Sequence, residues 1–291
     1  MSRTIDARVR LPMELRPREQ QNLPKGFLSQ YDQVLNLSAK NQRTFAELKA
    51  DMDASGIDHA VMHVEYEIGD GVDEMNETVA KIVAEDPQRF SGFGSVSLYD
   101  HHIMRSVKQV RIVAELGLKG LNIQPAFMGY DIDSRALYPV YSAACELGLA
   151  VGIHSGVNYA RSIPMDREHP LRLDKVASDF PDLTIIACHA SWPWVDEIVA
   201  IARRHPTVFL EFGGLAPEYV GAPDTGWSTL RRMMDNLLAD QVLFATDWPV
   251  MSMERSLGDW RSMGLKDETL DRLLGGNCDR LLAGLELDTS A

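Results

Sequence analysis

Three ionisable side chains stand at the ends of short apolar runs, where a buried strand would present them to a cavity. They are His154, His189 and Asp247. Imidazole and carboxylate groups transfer protons and also bind metal ions. A polar group at the exit of a buried strand is costly unless it is paired, coordinated or exposed to a cavity. One strand-end histidine is more often a structural residue, but three such groups together predict a functional site.

Other apolar runs also end in polar side chains, and two of these are arginines. The first run carries Arg8 and Arg10. The remaining runs deliver His63 and Glu65, Ser95 and Ser97, Asn122 and Gln124, and Glu211. In a barrel of alternating strands and helices, catalytic groups come from the carboxyl ends of several strands. All of these residues are therefore candidates for one site.

The elements that must position these groups alternate between short apolar runs and longer amphipathic segments. The predicted strands are Thr4–Val9, His59–Val64, Phe90–Val96, Leu118–Ile123, Leu149–His154, Leu183–Cys188, Thr207–Glu211 and Val242–Thr246. Most are continuously apolar, which is typical of parallel strands buried on both faces. The first strand lacks the glycine-rich turn of a dinucleotide-binding fold. The sequence therefore predicts an α/β fold, a (β/α)₈ TIM barrel, with residues 1–291 as a single domain.

Caps and breakers mark the predicted helices and connections. Helices are predicted over Asn41–Ser55, Asp73–Glu85 and Ser134–Leu147, each ending near a glycine or proline. The connection Leu11–Lys40 after the first strand is long and rich in proline, so it is either a functional lid or interface arm or a plain surface excursion. Residues Lys266–Leu285 are predicted to be helical and to close the barrel.

Four segments resemble motifs of the amidohydrolase-related (amidohydrolase 2) family of metal-dependent hydrolases and decarboxylases. Gly148–Gly156 resembles the fifth-strand motif of the family, and Leu243–Pro249 resembles its eighth-strand motif. Gly117–Pro125 fits the fourth strand, and Gly275–Leu281 is similar to the glycine-asparagine segment near the family's C-terminus. The resemblance extends from the first strand to Leu285.

The resemblance implies a zinc- or manganese-dependent decarboxylase of aromatic or related acids, a lactonase or another hydrolase. It implies that His154 and Asp247 bind the metal and that His189 is a catalytic histidine or a further ligand. The chain departs from the family at the first strand, where Arg8 and Arg10 replace a histidine-x-histidine or glutamate-x-histidine pair. A guanidinium has no lone pair to offer a metal and stays protonated, so neither arginine can be a ligand.

In one interpretation of this departure, a divalent metal still binds through His154, His189 and Asp247. Two histidines and one carboxylate form an open ligand set that suits zinc with an activated water, and also iron or manganese. His63 or Glu65 would complete the set. The same ligands suit non-haem iron, so an oxygenase variant also stays open.

Two other interpretations need no metal. In one, an arginine occupies the place of the metal, neutralised by Asp247 and by Glu211 or Glu65, while His189 or Asp247 moves the proton. In the other, the barrel has lost catalysis and serves as the partner of an active homologous subunit.

If the chain is an enzyme, the residue types favour a small carboxylate substrate, cyclic or aromatic. Arg8 and Arg10 would grip its anionic group, because a guanidinium forms two parallel hydrogen bonds with a carboxylate. Aromatic residues near the strand ends are candidates for the pocket wall: Tyr66, Phe127, Tyr159, Trp192, Trp194 and Trp248. Trp192 and Trp248 are the two we predict to bind substrate, with core packing or a partner interface as the alternatives.

Composition narrows the class of protein further. The net charge of −13 is spread along the chain and argues against a nucleic-acid or anionic-membrane partner. The 3 cysteines are too few and scattered for a disulfide framework. We expect a soluble cytoplasmic protein without a signal peptide or membrane span. It is expected to form a homo-oligomer, or a hetero-oligomer with a homologous subunit.

Overall fold

Eight parallel strands follow one another around the molecule in their order along the chain. The computed structural model describes residues 3–17, 29–65, 71–99, 101–221 and 227–284. The strands are β1 (Ile5–Arg10), β2 (His59–His63), β3 (Phe90–Gly94), β4 (Gly120–Ile123), β5 (Ala150–His154), β6 (Ile185–Cys188), β7 (Val208–Glu211) and β8 (Val242–Leu243). β8 returns to β1 through a parallel bridge between Val9 and Trp248. The predicted (β/α)₈ barrel is confirmed.

The last strand is shorter than predicted. Regular pairing of β8 with β7 stops at Leu243, and the Phe244 N–H then donates to the carbonyl of Leu273. Asp247 adopts a left-handed backbone with φ of 54°, and its N–H donates to the carbonyl of Arg8. The chain between Phe244 and Asp247 therefore closes the barrel by individual hydrogen bonds.

Helices pack around the strands. They are α1 (Ser29–Leu35), α2 (Leu37–Lys40), α3 (Phe45–Ser55), α4 (Val72–Glu85), α5 (Ile103–Glu115), α6 (Tyr138–Glu146), α7 (Leu171–Asp179), α8 (Val195–Arg204), α9 (Pro217–Gly221), α10 (Ser228–Met234), α11 (Met253–Ser262), α12 (Asp267–Asp271) and α13 (Asn277–Gly284). Helix α3 starts later than predicted because Thr44 caps it: the Thr44 hydroxyl accepts from the Glu47 N–H, and the Glu47 carboxylate accepts from the Thr44 N–H. Helix α6 starts only at Tyr138, and Ser134 makes no side-chain cap.

The described residues cover only part of the long connection after β1 and of the C-terminal segment. Of the connection Leu11–Lys40, residues 18–28 lie outside the described residues, and the rest contains helices α1 and α2. The predicted C-terminal helix is present as α12, a π-helical turn at Arg272–Gly276 and α13, while Leu285 lies outside the described residues. No helix among the described ranges is long and apolar enough to cross a membrane.

The buried apolar side chains form two clusters. The larger lies between the barrel wall and the surrounding helices. The smaller fills the amino-terminal part of the barrel interior and consists of Ile5, Ala7, Val61, Phe93, Ala150, Ile186, Leu243, Ala245, Cys278, Leu281 and Leu282. The last three belong to α13, so this helix seals the amino-terminal end of the barrel. The opposite end is left for polar groups.

Candidate active site

A pocket opens at the carboxyl end of the barrel, as the strand-end residues predict. Pocket and mouth together leave about 800 Å³ empty. Its lining includes Arg8, Arg10, Glu65, Asn122, His154, His189, Trp192 and Asp247. Six of the seven residues predicted for the site, all but Trp248, therefore line one cavity. Their catalytic, metal-binding and substrate-binding roles remain predictions.

At the floor of the pocket, the Arg8 guanidinium is buried among four side chains. Its Nε donates to Oε2 of Glu211 over 2.7 Å, and its Nη1 lies 3.4 Å from Oε1 of Glu65. Its Nη2 donates to Oδ1 of Asn122 over 2.9 Å and contacts Sγ of Cys188 at 2.8 Å. We call Glu65, Asn122, Cys188 and Glu211 the Arg8 cage. Because the carboxylates compensate the buried charge, the guanidinium tolerates an exposure of only 3%.

Local backbone features let Arg8 reach the centre of the barrel. The pairing of β1 with β2 shifts register between Asp6 and Val9, and such irregularities re-aim side chains near active sites. Gly213 follows β7, where a Cβ atom would lie 2.3 Å from Oε1 of Glu211 and 3.1 Å from Cδ of Arg8. Only glycine fits this position without moving the ion pair.

Burial around Arg8 favours the neutral forms of the Cys188 thiol and the His63 imidazole. Burial raises the pKa of the Cys188 thiol to about 12, although the nearby Arg8 charge works against that rise. Burial and, second, the charge of Arg8 lower the pKa of His63 well below its usual value. His63 is 2.9 Å from the carbonyl of Ala7 through Nε2 and is not a member of the pocket lining.

Above Arg8, Arg10 and Asp247 form a two-pronged ion pair. Arg10 Nε donates to Oδ1 of Asp247 over 2.9 Å, and Nη2 donates to Oδ2 over 2.5 Å. The Arg10 side chain is 17% exposed, whereas that of Asp247 is 2% exposed. Arg10 therefore presents part of its positive charge to the pocket, while Asp247 is held as its counter-ion from behind.

His154 is paired with a buried carboxylate. Its Nδ1 lies 2.7 Å from Oε1 of Glu168, which is fully buried in the short helical turn Met165–Glu168. With Nδ1–H donating to Glu168, the Nε2 atom is the one left to act on a substrate. A carboxylate behind a histidine fixes its tautomer and the orientation of its ring.

His189 is held by a backbone carbonyl, whereas His154 is held by a carboxylate. Its Nδ1 lies 2.6 Å from the carbonyl of Gly213, which accepts the Nδ1 proton and leaves the Nε2 lone pair as the reactive site. Burial and, second, the neighbouring His154 lower the pKa of His189. The two rings are edge-to-face, with centroids 4.9 Å apart. The site thus places two histidines side by side, with Nδ1 of one held by a carboxylate and Nδ1 of the other held by a backbone carbonyl, so that one can give a proton and the other can accept one.

His189 is also the first residue of an unusual backbone turn. His189, Ala190 and Ser191 have φ angles of 57°, 43° and 52°, which non-glycine residues rarely adopt. Asp247 shares this left-handed conformation at the end of β8. Strain of this kind concentrates at functional sites, where the surrounding structure holds it.

The aromatic residues divide between pocket and core. Tyr31, Tyr159 and Trp192 line the pocket. Trp248 does not, which corrects the prediction that it binds substrate: its side chain is buried and its Nε1–H donates to Asp51 of helix α3 over 2.9 Å. The ring of Trp194 packs near that of His169 instead.

The two remaining aromatic candidates for the pocket wall are Phe127 and Tyr66. Phe127 packs against Tyr31, with ring centroids 6.1 Å apart, so it supports the pocket wall from behind. Tyr66 lies outside the described residues. Tyr31, Leu35 and Leu37, from the long connection after β1, contribute to the pocket mouth.

Glu168 is one of the site residues that sequence reasoning missed, together with Cys188 and Tyr31. It follows no apolar run and sits among the charged residues of a loop, so nothing in its local pattern separates it from a solvated side chain. Only the fold brings its carboxylate to His154.

The chain belongs to the amidohydrolase family, because the model of that family matches residues 5–283. A curated relative is 2-amino-3-carboxymuconate-6-semialdehyde decarboxylase of Dictyostelium discoideum, which is 35% identical over 81 residues, or 28% of this chain and 22% of that protein. The chain thus matches about a fifth of the length of this relative. Family membership confirms the predicted resemblance and the prediction of an enzyme of this superfamily.

Solved structures share the fold over nearly the whole chain. An uncharacterized TIM-barrel protein from Bordetella bronchiseptica has a TM-score of 0.79 and 25% identity, with 98% of this chain and 99% of that chain covered. 5-Carboxyvanillate decarboxylase from Novosphingobium aromaticivorans has a TM-score of 0.69 and 17% identity, with 97% and 96% covered. The latter is complexed with manganese and 4-hydroxy-3-methoxy-5-nitrobenzoic acid.

The side chains of this pocket do not fit a divalent cation as they are arranged. Both carboxylate oxygens of Asp247 accept from Arg10, and Glu211 accepts from Arg8 and from the Gly213 N–H. Across the described ranges, no three His, Cys, Asp or Glu side chains are grouped so that they would hold a metal ion. The prediction of metal binding by His154, His189 and Asp247 stays a prediction, and we derive no chemistry through it.

Proposed function

We propose that this chain is a carboxy-lyase that removes CO₂ from a small aromatic or cyclic carboxylate by proton transfer from histidine. The observation that carries the proposal is the pairing of His154, backed by the buried carboxylate of Glu168, with the neutral His189 inside one pocket. Decarboxylases among the relatives support the reaction class.

The pocket offers a place for each part of such a substrate. A flat ring packs against Trp192 and Tyr159, which give an apolar wall. The carboxylate lies toward Arg10, whose partly exposed guanidinium attracts an anion. A ring hydroxyl group donates to Nε2 of His189 and thereby enriches the ring in electrons.

The reaction then needs one proton. His154, protonated and paired with Glu168, donates its Nε2 proton to the ring carbon that carries the carboxylate. The bond between that carbon and the carboxylate breaks, its electron pair returns to the ring, and CO₂ leaves. His154 takes a proton back from solvent, so one substrate anion and one proton yield the decarboxylated ring and CO₂.

The decisive experiment is a CO₂-release assay with hydroxybenzoates, including 5-carboxyvanillate, run with chelator-treated protein. Reaction in D₂O should place one deuterium on the carbon that lost the carboxylate. His154→Gln should lower kcat by about 10²–10⁴-fold, the usual contribution of a general acid. Arg111→Ala, at an exposed position of α5, is the matched control and should retain full activity. No CO₂ release from any carboxylate in the panel would contradict the proposal.

A hydrolase is the second candidate, and the neutral His189 favours it. A neutral imidazole with a free Nε2 lone pair can activate water for attack on a cyclic ester. The same panel extended to small carboxylated lactones separates the two reactions, because ring opening releases no CO₂. Ring opening without CO₂ release would replace the first proposal by the second.

The number of subunits and the presence of a homologous partner chain remain predictions. Mass measurement of the purified chain, together with the assay above, tests both. Activity of the chain by itself would exclude the interpretation of a degenerate partner subunit.

A further inference from the structure

We propose that the Arg8 guanidinium is a permanent, protein-supplied cation that takes the place of a divalent metal in this barrel. The catalytic use of this charge rests on the proposed carboxy-lyase function, whereas its occupation of a cation site does not.

The cage is composed of groups that bind cations. Two carboxylates, an amide oxygen and a sulfur atom surround the Arg8 guanidinium, and each of them contacts one of its nitrogen atoms within 3.4 Å. Carboxylate and amide oxygens are common metal ligands in proteins. Without a cation at this point, Glu65 and Glu211 would be two buried like charges, 9% and 1% exposed in their side chains.

A metal ion cannot share the cage with Arg8. The guanidinium already uses the acceptor oxygens that face the centre, and a divalent ion a few ångströms away would be repelled in this buried site. The cation is also independent of supply and pH, because a guanidinium stays protonated in proteins.

Arg8 is tied to the site by more than charge. Its backbone carbonyl accepts from the N–H of Asp247, and its N–H donates to Asp6. The same residue thus fixes the end of β8, where Asp247 meets Arg10. Such fixed charges stabilise negative charge on a substrate without rearranging during the reaction.

The proposal is tested by cation binding, with chelator-treated wild type, Arg8→Ala, and Arg111→Ala as control. Each protein receives MnCl₂ or, separately, guanidinium chloride against the same concentration of NaCl. Bound manganese after equilibrium dialysis and the shift of Tm are measured. These readouts need no substrate, so they are independent of the failure or success of the CO₂-release assay.

We expect wild type and Arg111→Ala to bind no stoichiometric manganese and to show no Tm shift. Arg8→Ala should bind manganese about 100-fold more tightly than wild type or better, since the like charge is gone and the oxygens are released. Of the three proteins, only Arg8→Ala should gain Tm from guanidinium ion, because the ion refills its cage.

Two results would overturn the proposal. One is a wild-type protein that holds one metal ion per chain and loses Tm when a chelator removes it. The other is a folded Arg8→Ala that binds neither manganese nor guanidinium. If Arg8→Ala does not fold, Arg8→His replaces it and is tested with manganese only. Histidine fills more of the cage and adds an imidazole ligand. A folded Arg8→His that does not bind manganese would also contradict the proposal.

Discussion

The two halves of the barrel interior are both buried, but one is filled with apolar side chains and the other with ion-paired ones. The amino-terminal half is an apolar layer from Ile5, Phe93, Ile186 and Leu243, sealed by helix α13. The carboxyl-terminal half holds Arg8 and its cage, buried almost as completely. The first layer is stable by exclusion of water alone, whereas the second is stable only while every charge has its partner. The functional half is therefore the half in which single changes are least tolerated.

The largest expected effect breaks the charged layer. Arg8→Ala should lower the free energy of unfolding by about 3–5 kcal/mol, because Glu65 and Glu211 lose their buried cation. Ile186→Val in the apolar layer should cost only about 1 kcal/mol. Denaturant titration measures both. The double change Arg8→Met with Glu211→Leu should be less destabilising than Arg8→Ala, and a larger loss would mean that charge balance is not what holds this layer.

The second-largest expected effect is a pH dependence of stability caused by Asp6, which lies where the two layers meet. Burial raises the pKa of Asp6 to about 7, although hydrogen bonds from Thr246 and Arg8 work against the rise. Between about pH 4 and pH 7 the unfolded chain has released the Asp6 proton while the folded state still holds it. The free energy of unfolding therefore decreases as the pH rises through this range. Relative to Asp6→Asn, wild type should lose about 4 kcal/mol between pH 4 and pH 8. Parallel stability curves for the two proteins would refute the raised pKa.

A smaller effect should separate catalysis from stability within the charged half. Glu168→Gln keeps the shape at His154 but removes the carboxylate that stabilises its proton. We expect kcat to fall by about 10–100-fold, with KM changed less, since supporting residues of this kind typically contribute that much. A loss of Tm with kcat unchanged would assign Glu168 a purely structural role.

The smallest effect tests the outer shell, which belongs to neither half. Thr44→Ala removes one hydrogen bond of the capping box that starts helix α3. The free energy of unfolding should fall by about 1 kcal/mol, while kcat stays that of wild type. Thermal unfolding and the CO₂ assay check the two parts. A change in kcat would show that α3, which contacts Trp248 through Asp51, communicates with the pocket.

Much of the architecture could be predicted because it depends on local patterns. All eight strands are found at their predicted places, since continuous apolar runs between helical segments have few other solutions than a parallel sheet. Errors arose where hydrogen bonds rather than composition set the ends, as at Thr44 and after Leu243. Trp248 was misjudged because neighbouring residues on a chain leave a strand end in different directions.

The sequence by itself determined that polar residues end the buried strands, and that arginine stands where the related family has metal ligands. Only the tertiary structure decided which groups pair. Arg8 meets Glu211 across 203 positions of the chain, and Glu168 reaches His154 from a loop without any local signal. Pairing across such distances depends on strand register and backbone turns, which no short segment encodes. The charge balance of the site is for that reason a property of the closed barrel.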